Sequence, residues 1–85
     1  MLGLGVIPFT YTPEAIGNNI RLRREQLGLS QQTVARMVGT SQAAVSNHEG
    51  GKRTLKTETL VKYATALNMR IVITKSGIWM EGERW

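Results

Sequence analysis

The chain contains no cysteine. Disulfides and thiolate metal sites are therefore excluded, which fits a reducing cytoplasm. It contains no aspartate either: all six acidic residues are glutamates, and His48 is the single histidine. That inventory leaves no Ser-His-Asp or Cys-His arrangement and little for acid–base work, so no catalysis is expected. One histidine without a second ligand nearby is a poor metal site, and neither a metal nor a cofactor is expected. Gly3-Leu4-Gly5 and Gly50-Gly51 do not extend into a phosphate-binding glycine pattern. Long hydrophobic runs are missing as well. The opening stretch MLGLGVIPF is apolar and uncharged, yet it is too short to span a bilayer and lacks the basic start of a signal peptide. No membrane association is expected. Internal repeats and low-complexity tracts are absent.

What is present is compact. Eighty-five residues allow one domain with a limited core, so helix packing or oligomerisation has to help. The net charge of +5 favours a polyanionic partner. Thr12-Pro13 is a helix start: the threonine caps free N–H groups and proline at the first helical position has none to lose. Ile16, Ile20 and Leu27 follow at helical spacing, with Arg21, Arg23 and Arg24 on the opposite, solvated side. Gly28 suits the left-handed turn that ends this helix. Further on, Thr57 is the expected cap of a helix reaching Leu67, whose buried face is Leu60, Val61, Ala64 and Leu67. Asn68 can take the left-handed conformation at its end. The pattern then changes. Residues 70–74, Arg70-Ile71-Val72-Ile73-Thr74, are β-branched and too few for a helix, which predicts a strand. Lys75-Ser76-Gly77 reads as a turn, 78–80 as a weaker second strand, and Gly82 to Trp85 as a tail.

The most informative stretch is SQQTVARMVGTSQAAVSNHEGGKR, from Ser30 to Arg53. It holds two helix-length segments split by a tight turn at Gly39, and each opens on a hydroxyl residue followed by glutamine. Ser30 and Ser41 are the expected caps. Val34, Ala35 and Val38 form the apolar stripe of the first segment. The second, from Gln42 to His48 or Glu49, has Val45 as its one strongly apolar side chain. A helix this polar is a poor core element, so most of it faces outward. One helix across a DNA backbone and a second entering the major groove is what a helix-turn-helix requires.

From Ile16 to Met69 the chain resembles the lambda-repressor-like helix-turn-helix family, of the Cro/cI or xenobiotic-response-element type. The matching residues are Ile20-Arg21, Arg24, Leu27-Gly28-Leu29-Ser30-Gln31, Val34-Ala35, Gly39, Ser41, Val45-Ser46, Glu49, Gly51-Lys52-Arg53 and Leu60. Within that family it is most similar to the HipB-type antitoxins, through Tyr11-Thr12-Pro13, Gln42-Ala43-Ala44-Val45-Ser46-Asn47, the apolar strand after the fourth helix, and a C-terminal Trp. The resemblance implies a mainly α, four- or five-helix domain with a short C-terminal strand or hairpin. It also implies sequence-specific DNA binding, a homodimer and, for the antitoxins, autoregulation of an operon and binding of a kinase-like toxin. Two positions depart from the pattern: His48 stands where a larger apolar or aromatic residue is usual, and Arg23 where many members have leucine.

Gln42, in the first turn of the third helix, offers a donor and an acceptor that match adenine N6 and N7. Ala43 can lie against a thymine methyl, and Ser46 is four residues after Gln42, on the same face. These three are the candidate base contacts. Gln31 sits at the N-terminus of the second helix, where free N–H groups and the helix dipole suit a phosphate. Ser41, Asn47, Lys52 and Arg53 are the other candidate phosphate contacts. Glu49 reads as a structural ion pair or hydrogen bond, and His48 as a packing residue.

Ile71, Val72 and Ile73 are candidate dimerisation residues, since an unpaired apolar strand invites a partner. Strand 70–74 can pair with its copy across a two-fold axis or with 78–80 in a local hairpin, and the two solutions can coexist. A dimer would set two recognition helices roughly 34 Å apart along a duplex. The expectation is a DNA-reading domain over 12–69 and a dimerising strand and tail over 70–85. Its partner would be a palindromic double-stranded operator in the cytoplasm. The expected role is a repressor, with the antitoxin of a toxin–antitoxin pair favoured over a free-standing phage or host regulator. A protein that chiefly neutralises a partner enzyme is the alternative of another class.

Overall fold

The computed structural model describes residues 12–83. Tyr11, Trp85 and the apolar opening nonapeptide lie outside them. Four helices are followed by a hairpin: α1 Pro13–Gln26, α2 Gln31–Val38, α3 Gln42–Glu49, α4 Thr57–Leu67, β1 Met69–Thr74 and β2 Gly77–Gly82. The architecture is mainly α with a small antiparallel sheet, as expected.

Local chemistry sets most of the boundaries. The Thr12 hydroxyl accepts from the Ala15 N–H at 3.0 Å, Ser30 from Thr33 at 3.0 Å and Ser41 from Ala44 at 3.1 Å. Each satisfies one N–H that the first helical turn leaves free. Gly39 closes α2 at φ 84°, and both it and Thr40 donate to the Ala35 carbonyl at 2.9 Å. A side chain at this left-handed position would strain the two-helix corner. Asn68 ends α4 at φ 52°.

The fourth helix starts differently from the sequence expectation. Thr57 is its first helical residue, not its cap; Lys56 stands at the cap with no side-chain hydrogen bond. Leu55 before the cap and Leu60 at the fourth helical position are both core residues. That is the spacing of a hydrophobic staple, and burial in place of a hydroxyl fixes the entry. The buried face of α4 is also rotated. Leu60, Tyr63 and Leu67 are buried, while Val61 is 48% exposed. Positions i, i+3 and i+7 define the stripe, and Tyr63 at 0% exposure occupies the place expected for Val61.

The core joins Ile16 and Ile20 of α1, Val34, Ala35 and Val38 of α2, and Val45 of α3 to the α4 residues, Met69 and Met80. Gly17 lets α1 approach the end of α3: a Cβ there would lie 2.2 Å from the His48 carbonyl oxygen. The hairpin pairs Ile71 with Met80, Val72 with Trp79 and Ile73 with Ile78, and it runs to Met69 opposite Gly82. Gly82 is thus strand rather than tail. Ile71 packs against the core, while Ile73 is 73% exposed near the turn.

Two side chains of α1 fasten the hairpin. Asn19 Oδ1 accepts from the Met80 N–H at 3.0 Å. Arg23 donates to the Leu67 carbonyl at 2.9 Å, the Asn68 carbonyl at 3.2 Å and the Glu83 carbonyl at 3.0 Å. A guanidinium here meets carbonyls at the end of α4, where the helix dipole is negative. Arg23 is therefore not a solvated-face residue. Of the three arginines, Arg21 forms its ion pair within α1, with Glu25 one turn on.

Candidate nucleic-acid interface

Helices α2 and α3 meet at the Gly39-Thr40-Ser41 corner, and α3 is anchored from beneath by Val45, which is fully buried. With that anchor in place, Gln42, Ala43 and Ser46 are exposed. Gln42 and Ser46 are one turn apart on the same side of the helix. Ser41 is exposed but already engaged as the cap of α3. Asn47 is half-buried, and its carbonyl accepts from the Lys52 N–H at 3.1 Å. Lys52 and Arg53 are exposed on the loop that follows α3.

Gln31 and Gln42 come together: Gln42 Nε2 lies 3.5 Å from Gln31 Oε1. The other end of Gln31 donates to Glu49 Oε1 at 3.1 Å. Glu49 is buried and holds Arg24 from both oxygens, Nε to Oε2 at 2.6 Å and Nη2 to Oε1 at 3.0 Å. Arg24 also donates to the Leu29 carbonyl at 2.9 Å. The Glu49 carboxylate, through its hydrogen bond, holds the Arg24 guanidinium above its ordinary pKa, against the opposing effect of burial. The ionic role of Glu49 is legible in the sequence. Its partner is not: the helical pattern puts Arg24 on a solvated face, and the structure ties it into the fold. The available signal is a charged residue at the end of a helix whose one apolar anchor lies four positions earlier.

His48 packs as expected. Its Nδ1 is 2.7 Å from the Tyr63 hydroxyl, and the two rings meet edge to face at 5.5 Å. Burial, and then the charge of Arg53, hold the imidazole below its usual 6.5. Burial pushes the Tyr63 phenol up, and it stays protonated. Native His48 thus resists a proton that the unfolded chain accepts. Its contribution to stability is complete above about 6.5 and declines as pH drops below that value, levelling off once the native ring titrates. Urea midpoints measured from about pH 8 to about pH 5 should show this decline, and His48→Phe should remove part of it. An identical pH profile in the variant would assign the decline to other groups.

A buried anchor, an outward polar helix and a capped helix before it across a glycine corner make up a helix-turn-helix. A family profile described as helix-turn-helix matches residues 20–73, and the chain belongs to that family. No curated protein sequence matches it significantly. Among solved structures it is similar to the restriction-modification controller protein C.AhdI from Aeromonas hydrophila. The identity is 34% and the TM-score 0.63, over 66% of this chain and 85% of that one. It is also similar to the P22 c2 repressor in complex with synthetic operator 9T, at 32% identity and a TM-score of 0.59 over 69% and 85% of the two chains. A chain from a HipB–O4 20mer complex is 27% identical, with a TM-score of 0.67 over 78% of this chain and 93% of that one. Among the described residues, no helix is long and apolar enough to cross a membrane.

Proposed function

We propose that this chain is a sequence-specific DNA-binding repressor that acts as a homodimer on a palindromic operator. The observation that carries the proposal is α3: it is seated by one buried valine and turns Gln42, Ala43 and Ser46 outward from its first turns. In this reading those three residues meet base edges, and Gln31, Ser41, Asn47, Lys52 and Arg53 meet phosphates. Repression is by occlusion of polymerase, without catalysis, in the cytoplasm. Residues 12–69 read the operator. The hairpin dimerises through Ile71, Val72 and Ile73.

Within the family the favoured role is the autoregulating antitoxin of a toxin–antitoxin pair, with a kinase-like toxin as second partner. The likeness to HipB, which extends over 78% of this chain, supports it. The likenesses to a restriction-modification controller and a phage repressor at higher identity favour the second reading, a free-standing regulator. Co-purification with the product of an adjacent gene separates the two.

The test of base reading is Gln42→Ala. Specific affinity should fall by about 1–3 kcal/mol with discrimination erased at one or two positions, while non-specific affinity holds. In the same titrations, Lys52→Ala and Arg53→Ala should weaken both kinds of duplex. Each phosphate left without its cation should flatten the plot of log affinity against log salt by roughly 0.9. Unchanged operator affinity in folded Gln42→Ala would remove this residue from the interface.

The dimer has its own test. One edge of β1 is taken by β2, and the other has no strand beside it among the described residues. Ile73 sits on this strand with most of its surface exposed. Ile73→Lys should leave the fold intact and weaken self-association in sedimentation equilibrium, with operator affinity falling alongside. A dimer of undiminished strength would move the two-fold axis elsewhere.

A further inference from the structure

Val38, Gly39 and Thr40 at the α2–α3 corner, His48 of α3, and Thr59 and Lys62 of α4 line a recess of about 120 Å³. Four of these six side chains can donate hydrogen bonds: the hydroxyls of Thr40 and Thr59, the Lys62 ammonium and the His48 ring. No carboxylate lines the recess. Glu58 stands one turn before Lys62 on α4, yet among the described residues Lys62 has no ion pair. Neither threonine hydroxyl has a hydrogen-bond partner among them. The charge of Arg53 also reaches His48, so the local field is positive. The tautomer of the imidazole follows from its neighbour. Tyr63 is fully buried, and His48 Nδ1 at 2.7 Å is the one partner its hydroxyl has among the described residues. A buried O–H gives its hydrogen to the acceptor it has. Nδ1 therefore accepts, and the neutral ring carries its own hydrogen on Nε2, the nitrogen left over.

We propose that this recess binds a small tetrahedral oxyanion of the phosphate class, taken from solution. Donors from three separate segments of chain match an ion with four acceptor oxygens, where a carboxylate offers two. A cation would find no negative ligand here, and an apolar ligand would leave the donors unpaired. The source of the ion follows from helical geometry. At about 100° per residue, His48 projects about 200° around α3 from Ser46 and about 240° from Gln42. The recess is therefore behind the reading face, where a duplex seated on Gln42 and Ser46 does not bring its backbone. That choice of source rests on the reading of those two residues as base contacts; the oxyanion site does not. An ion held there ties the corner of the helix pair to α4, and binding to the native state alone stabilises it by mass action.

The experiment titrates inorganic phosphate into the full chain without DNA, replacing sodium chloride so that ionic strength is constant. Backbone amide and imidazole nitrogen resonances are followed. Shifts at Thr40, His48 and Thr59 should saturate together on one binding curve. Lys62→Met removes a charged donor and should weaken that curve by about tenfold or more, and Thr59→Val by about threefold. Lys62 is exposed, so its variant should keep the helical circular dichroism signal. Shifts that never saturate, shifts confined to Lys52 and Arg53, or wild-type phosphate affinity in Lys62→Met would overturn the site. A second arm separates the sources, through the salt dependence of duplex binding in chloride alone. A wild-type slope in Lys62→Met supports an ion taken from solution. A slope flattened by roughly 0.9 would show Lys62 neutralising a backbone phosphate and would overturn the proposed source. The first arm contains no DNA, so it decides the site whether or not the reading of α3 holds.

Discussion

Glu49→Ala is expected to cost about 3–5 kcal/mol of folding stability, because it strands a buried charge. The Arg24 and Glu49 side chains are 14% and 3% exposed. Without the carboxylate, Arg24 keeps its bond to the Leu29 carbonyl, which offers no compensating charge. Small domains have about 5–15 kcal/mol in all, so the variant should be largely destabilised in urea unfolding. Glu25→Ala is the control. Its pair with Arg21 has side chains 50% and 41% exposed and stabilises by only about 0.3–0.5 kcal/mol, as exposed i,i+4 pairs do. Similar losses in the two variants would mean that water reaches the Arg24–Glu49 pair.

The second large effect is expected at Met80→Ala, about 2–5 kcal/mol from reduced burial and the cavity left behind. Met80 is 2% exposed and belongs to the same core as Ile16, Ile20 and Leu67. Its N–H is held by Asn19, and Arg23 grips the carbonyl of Glu83 just beyond the strand. The hairpin is thus packed into the helical body at one end, while Ile73 projects near the turn. Helical circular dichroism and the fluorescence of Trp79 in β2 should therefore report one transition, shifted together by the substitution. A fluorescence change well before the helices melt would show that the hairpin folds separately.

Both sites depend on partners far away in the chain, and that separates them from what the sequence determines alone. The caps Thr12, Ser30 and Ser41, the corner at Gly39 and the left-handed Asn68 are readable because each is decided within three or four residues. A hydroxyl reaches the N–H three positions on, and the backbone conformation at a turn depends on the residue standing there. The apolar stripe of α2 is readable for the same reason, as is the outward character of α3: helical periodicity is a local property. The candidate reading residues follow from that periodicity and from the resemblance to a family.

The tertiary structure decided the rest. Arg24 meets Glu49 across 25 residues, Arg23 meets Leu67 across 44, and Asn19 meets Met80 across 61. No spacing rule connects such positions, so three arginines on one helix look alike in the sequence although two of them are tied into the fold. The same holds for α4, where the apolar pattern points to Val61 on the inner face and the structure puts Tyr63 there. Tyr63 is inside because its ring meets His48 and its hydroxyl finds the imidazole. A buried polar tip needs a partner from elsewhere, and only the packed helices supply one.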